Sequence, residues 1–231
     1  MQPASPDRAG PPRPPQRNYF PHVGCIFIHI PKTGGTSVAS ALGTLDAALQ
    51  REGRPPAYIA PDGTHSKHWK AATYAERLHP DVWRSAFKFC VVRNPFDQMV
   101  SSYHWWLQKA GRFPILREAA RTVAGLGSFE AFLDHEFGSS RINECAGEPE
   151  HWFLDPGGND LVDFIVRLED LDELHTELSR FIELPYRIAL PAENQTQREH
   201  YSRYYSSSTA EKVAARFRYV IDRFGYEFSG A

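Results

Sequence analysis

The residues that could do chemistry cluster at three places. The first is Cys25-Ile26-Phe27-Ile28-His29-Ile30-Pro31-Lys32-Thr33-Gly34-Gly35-Thr36-Ser37. Its apolar, β-branched start reads as a buried strand, and the run after the glycines reads as the first turns of a helix. A strand, a glycine turn and a helix N-terminus aim backbone N–H groups and the positive end of a dipole at one point. Gly34 and Gly35 would let the backbone approach a ligand, with the Lys32 ammonium and the Thr36 and Ser37 hydroxyls beside it. That combination is an anion cradle, for phosphate or a close relative. An ATP-binding Walker A loop carries its lysine after the glycines; here Lys32 precedes them. A glycine pair can also serve only the sterics of a strand-to-helix turn.

The second place is Val91-Val92-Arg93-Asn94-Pro95-Phe96-Asp97, running on to Ser101. Arg93 leaves a strand end, and Ser101 follows eight residues later, about two helical turns on. A guanidinium fork and a hydroxyl suit phosphate oxygens. Pro95 and Asp97 suit the start of a helix. The plainer alternative is a strand–helix corner whose arginine pairs with an acid. The third place is Gly63-Thr64-His65-Ser66-Lys67-His68-Trp69. Histidine is the natural base near neutral pH, so His65 and His68 are both candidates. A metal pair is the competing reading of H-x-x-H, but a third ligand at a helpful spacing is missing. His29 reads as a structural hydrogen-bonding residue.

These groups need a scaffold that carries them to one end. The run from Cys25 up to Pro31, with His29 on it, Phe87–Val92 and residues 161–168 read as strands, and residues 57–60 as a possible short one. Helices are expected from about residue 36, over 69–79, 95–109, 115–124, 128–137, 169–182 and 208–224. Gly225 suits the end of the last. The alternation predicts an α/β fold: one domain with a P-loop-like central parallel β-sheet and helices on both faces. In such sheets ligands sit beyond the carboxyl ends of the strands, and each chemical motif begins where a strand ends.

The loop P-K-T-G-G-T-S resembles the 5′-phosphosulfate loop of sulfotransferases that use 3′-phosphoadenosine-5′-phosphosulfate (PAPS). H-I-P-K-T-G-G-T-S is similar to the branch of heparan sulfate 2-O-sulfotransferases and soluble bacterial sulfotransferases. Arg93 and Ser101 resemble that family's grip on the ribose 3′-phosphate. The resemblance implies transfer of a sulfuryl group from PAPS to an acceptor hydroxyl (the EC 2.8.2 class), leaving adenosine 3′,5′-bisphosphate. It implies Lys32 and a base histidine, His68 with His65 in reserve, as catalytic residues. It implies Lys32, Thr33, Gly34, Gly35, Thr36, Ser37, Arg93, Ser101 and Arg198 as donor-binding residues, with no metal. Arg167 and Glu169 resemble the branch's R-F-E-x-L segment, with Leu168 replacing the aromatic. They would line the acceptor cleft or form a structural ion pair. Residues 193–198 with Tyr201, Tyr204 and Tyr205 resemble the C-terminal region that closes over the nucleotide. Two other functions stay open: a small-molecule kinase or NTPase with 165–170 as a Walker B imitation, and a nucleotide-binding protein without chemistry.

The whole chain bounds these readings. At 231 residues it is long enough for one well-cored domain. Residues 1–18 are proline-rich and nearly without apolar content, so a disordered or extended tail is expected, with the catalytic domain over 19–231. A net charge of −2 predicts no broad nucleic-acid or membrane field. Three scattered cysteines give no disulfide framework, and Cys25 and Cys90 read as buried packing groups. No run reaches the ~20 apolar residues of a membrane span, and no signal peptide is apparent. A cytoplasmic setting follows, which makes the acceptor pattern Asn194-Gln195-Thr196 a chance match for glycosylation. The partner is a small-molecule or carbohydrate acceptor. Tyr103, Trp105, Trp106, Trp69 and Trp152 could stack a sugar, though aromatics on amphipathic helices more often build core.

Overall fold

A computed structural model describes residues 18–59, 67–138, 147–185, 187–188, 190 and 196–229. Its sheet has four strands in the order β1 (Tyr19–Phe20), β2 (Cys25–Ile28), β3 (Phe87–Val92) and β4 (Phe164–Arg167). β2, β3 and β4 are parallel, with Ile28 opposite Cys90 and Val92 opposite Arg167. β1 runs antiparallel to β2. The sheet is therefore mixed, and the expectation of a purely parallel one is corrected at this edge. The cause is local: Gly24, at φ 90°, lets the chain double back within a few residues, its N–H donating to the Phe20 carbonyl at 2.7 Å. Tight turns join antiparallel strands, whereas parallel ones need a crossover.

Alternate residues of the central strands enter two different cores. Ile26, Ile28, Cys90 and Val92 pack with Tyr74, Trp152, Phe153 and Val220. Cys25, Phe27, Phe89 and Val91 pack with Val38, Leu42, Leu49 and Leu174. Both faces are thus covered, which is why these strands read as continuous apolar runs rather than alternating ones. A third core joins the helix after β3 to the C-terminal part of the chain through Phe96, Val100, Trp106, Phe132 and Phe217.

The helices are α1 (Gly35–Arg51), α2 (Ala71–Arg77), α3 (Pro80–Ser85), α4 (Pro95–Gln108), α5 (Arg117–Gly125), α6 (Phe129–Asp134), α7 (Glu150–Phe153), α8 (Leu174–Leu178), α9 (Ser207–Arg216) and α10 (Arg218–Phe224). Pro80 opens α3 and so separates it from α2. The expected helix over 169–182 is a 3₁₀ turn, Leu168–Glu173, followed by the short α8. The expected C-terminal helix is broken at Phe217, whose buried ring anchors the junction of α9 and α10. It ends as expected at Gly225 in the left-handed region.

Residues 57–59 are not a strand. Tyr58 is instead buried with its hydroxyl donating to the Cys25 carbonyl at 2.6 Å and accepting from Phe20 N–H. The proline-rich stretch up to residue 17 lies outside the described residues. Asn18, grouped with that stretch on composition, is buried, and its amide donates to the Lys67 carbonyl at 2.6 Å. Among the described residues no helix is long and apolar enough to cross a membrane.

Candidate active site

The loop between β2 and α1 is tightly determined. Lys32 adopts φ 67°, uncommon for a side-chain-bearing residue, and Gly34 adopts φ 76°. Thr33 is buried, and its hydroxyl donates to the Ile30 carbonyl at 2.9 Å, so it braces the loop from within. The glycines answer to packing as much as to any ligand. A Cβ at Gly35 would stand 2.3 Å from the His29 ring, and one at Gly34 2.6 Å from Leu168 Cδ1. The steric reading of the glycine pair thus has a structural basis at both positions, beside the ligand-approach reading. α1 runs for 17 residues and has no side-chain cap at its start, so its positive end faces the cleft bounded by Lys32, Gly34, Gly35, Thr36 and Ser37.

Across that cleft, α4 presents Asp97, Ser101 and Trp105, spaced four apart and so on one face. Asn94 caps the helix, accepting from Phe96 N–H at 3.0 Å, and this holds the corner at which Arg93 leaves β3. Arg93 donates through Nη1 to the Lys32 carbonyl at 2.9 Å, across 61 residues of chain. Its Nε donates to Asp97 at 2.8 Å, and its Nη2 closes a second contact to the same oxygen. Arg198 reaches the other oxygen of Asp97 at 2.6 Å. One carboxylate thus fixes two guanidiniums at the cleft wall. Burial pushes the Asp97 carboxyl up, but the two guanidiniums and their hydrogen bonds outweigh it and hold it below the usual carboxylate range.

The third motif closes on the same cleft. His68 Nδ1 donates to the His29 carbonyl at 2.9 Å, which assigns the lone pair to Nε2. Burial, with a lesser push from the Lys67 and Lys32 cations, brings its pKa down to about 4, against the opposing effect of that backbone bond. His29 lies edge-on to it, with ring centres 4.8 Å apart. Burial first, then Lys67, His68 and Lys32, hold His29 well below its ordinary value. The hydrogen bonding expected of His29 comes from its backbone; its buried Nδ1 has no partner among the described residues. His65 lies outside the described residues. Lys67 is the residue that sequence reasoning passed over. Its ammonium donates to Thr36 Oγ1 at 3.1 Å, inside the cradle. Its place next to His68 was the available signal.

The cleft that gathers these groups has a volume of ≈ 1280 Å³. Over residues 18–227 the sequence matches the model of the sulfotransferase family. The chain belongs to that family. No curated protein and no solved structure gives a match. In this sulfotransferase the remaining walls come from the 3₁₀ turn after β4, Leu168–Glu173, and from the C-terminal segment. Glu169 accepts from Asn94 N–H at 2.9 Å and from the Tyr226 hydroxyl at 3.1 Å, and it lines the cleft. Arg167 instead pairs with Asp170 at 3.1 Å and lies over the Tyr226 ring, so it takes the structural course of its two readings. Of the aromatics, Tyr103, Trp106 and Trp152 are buried core, and Trp69 packs against it. Trp105 faces the cleft, with the Lys32 ammonium 5.5 Å from its ring centre. Phe113, not singled out from the sequence, stacks on Trp105 with centres 6.3 Å apart. Among the described residues no group of three His, Cys, Asp or Glu side chains gathers as a metal site.

Proposed function

We propose that this sulfotransferase transfers a sulfuryl group from PAPS to an acceptor hydroxyl, on a carbohydrate or glycosylated small molecule, with His68 as base. The observation that carries the reading is the hydrogen bond from Arg93 to the Lys32 carbonyl, which joins the two donor motifs at one cleft. The cradle end of the lining suits an anionic nucleotide: Lys32 and Lys67 stand beside the start of α1, and Arg93 and Arg198 share Asp97, while Glu169, Asp172 and Glu199 also line the cleft. When bound, PAPS supplies the sulfuryl group and a bisphosphate leaving group.

The chain's own residues have separable duties. The amides opening α1, with the Thr36 and Ser37 hydroxyls, hold the sulfate-bearing end. Lys32 keeps a positive charge where negative charge grows on the leaving oxygen. Arg93, Ser101 and Arg198 hold the ribose 3′-phosphate and so select PAPS over ATP. Thr33 serves by fixing the loop, its hydroxyl being committed to the Ile30 carbonyl rather than to the donor. His68 offers Nε2 to the acceptor's hydroxyl proton, its other nitrogen being committed to the His29 carbonyl. A neutral imidazole at physiological pH follows from its lowered pKa of about 4. A cytoplasmic setting belongs to the same proposal and is supported by Cys25 and Cys90, which are buried free thiols.

Incubation with PAPS and a panel of hydroxylated acceptors, followed by mass spectrometry, tests the proposal. A sulfate-sized gain on an acceptor is expected. Magnesium-dependent ATP turnover without sulfate transfer would favour the kinase alternative. Tight adenosine 3′,5′-bisphosphate binding with no transfer would favour a binding protein without chemistry.

A further inference from the structure

The connection from α4 to α5 has an unusual surface. Leu107, Phe113 and Ile115 are three of the large hydrophobic side chains left exposed, Ile115 at 91%. They fall within nine residues: Leu107 near the end of α4, Phe113 between the 3₁₀ turns Ala110–Arg112 and Pro114–Leu116, and Ile115 in the second of these turns. The turns are not loose: Ala110, Ala120 and Val123 are buried beneath them in the third core, together with Trp106. The same stretch carries Lys109, Arg112, Arg117 and Arg121 against one acid, Glu118. Arg117 and Arg121 are four apart on α5 and both exposed. None of the four cations forms an ion pair among the described residues. A chain with net charge −2 thus concentrates positive charge and exposed apolar side chains in one segment.

This segment is continuous with the cleft. Phe113 lines the cleft and stacks on Trp105, which in turn lies beside the Lys32 ammonium. An apolar path therefore leads from the reactive lysine through Trp105 and Phe113 towards the surface at Ile115. Apolar side chains interleaved with lysine and arginine suit the boundary of an anionic bilayer: the apolar groups enter the acyl edge and the cations meet the headgroups. Nucleic acid would use the charges but leave Ile115 and Leu107 in water.

We infer that residues 107–121 dock this protein on an anionic lipid surface and that its acceptor is a hydroxyl carried by a lipid in that surface. The acceptor clause rests on the proposed sulfotransfer; the docking clause does not. Vesicle co-sedimentation tests docking without turnover, using phosphatidylcholine alone and phosphatidylcholine mixed with phosphatidylglycerol. The full chain is expected to sediment with the mixed vesicles only, and to be released by high salt. Arg112→Glu with Arg121→Glu should weaken binding on the order of a hundredfold. Ile115→Glu, at a side chain outside the cleft, should weaken it severalfold or more while melting temperature and turnover of any soluble acceptor stay unchanged.

Absence of vesicle binding by the full chain overturns the inference. So does binding that Ile115→Glu leaves intact, since the site would then be a purely electrostatic polyanion surface. Self-association abolished by Ile115→Glu, without lipid binding, would assign the patch to a second copy instead. A protein that sulfates soluble acceptors but ignores vesicles sinks this inference and spares the proposed function. One that binds vesicles without transferring sulfate to any acceptor spares the docking clause and sinks the acceptor clause together with the proposed function.

Discussion

Lys32 lays its ammonium 5.5 Å from the centre of the Trp105 ring, while Lys67 donates to the Thr36 hydroxyl at 3.1 Å. Their duties separate by experiment. Lys32→Ala is expected to lower turnover by about a hundredfold or more and to leave adenosine 3′,5′-bisphosphate affinity within a few-fold. Equal losses of both, read by single-turnover kinetics and calorimetry, would deny Lys32 a catalytic duty. As the proposed base, His68 would set the acid limit. A base must be unprotonated to act, and His68 titrates at about 4, so kcat/KM of the wild type should be level through neutrality and fall towards that value. Burial is the main cause and the Lys67 cation a secondary one. Lys67→Met should therefore move the acid limb upward, towards the ordinary histidine range. A limb that stays in place would show that Lys67 does not act on His68.

At the scale of elements, the β2–α1 loop is where sequence and packing meet most closely. The His29 ring occupies the space beside Gly35 that a Cβ would need, at 2.3 Å. Gly35→Ala should then destabilise the fold by about 1–3 kcal/mol, as overpacking does, measured as a shift in urea midpoint at constant slope. Adding His29→Ala should restore part of that loss, because the two side chains compete for one volume. Simple additivity of the two changes would locate the strain elsewhere. The loop's motif was legible because strand, glycines and helix start are all local signals. The role of its glycines was not, since His29 and Leu168 reach them only through the fold. The helix expected over 169–182 failed for a related reason. Its start is a 3₁₀ turn in which Glu169 is held by Asn94 and Tyr226, contacts set by tertiary structure.

At the scale of the molecule, Asp97 ties together β3, α4 and the C-terminal segment through Arg93 and Arg198. Its folded-state pKa is depressed, so its contribution is present above the unfolded carboxylate value, near 4, and is lost as pH falls below it. Asp97→Asn should cost about 3 kcal/mol at neutral pH, by leaving two guanidiniums uncompensated, and should flatten the acid side of the stability profile. It should also erode the preference for adenosine 3′,5′-bisphosphate over adenosine 5′-monophosphate, because both arginines lose their fixed position. Competition binding reads the second effect; an unchanged preference would mean the clamp is structural only.

The amino-acid order alone determined the α/β class, the three chemical motifs and the family they resemble. Each of these is carried by residues close together in the chain, where hydrophobic period, turn chemistry and helix-start signals act. Only the tertiary structure decided that β1 turns the sheet mixed and that Thr33 faces inward. The same holds for the entry of Lys67 into the cradle and for the choice of Trp105 and Phe113, rather than their neighbours, to face the cleft. Those outcomes depend on which side chains from distant segments compete for the same volume and the same hydrogen bonds, and no local pattern encodes that competition.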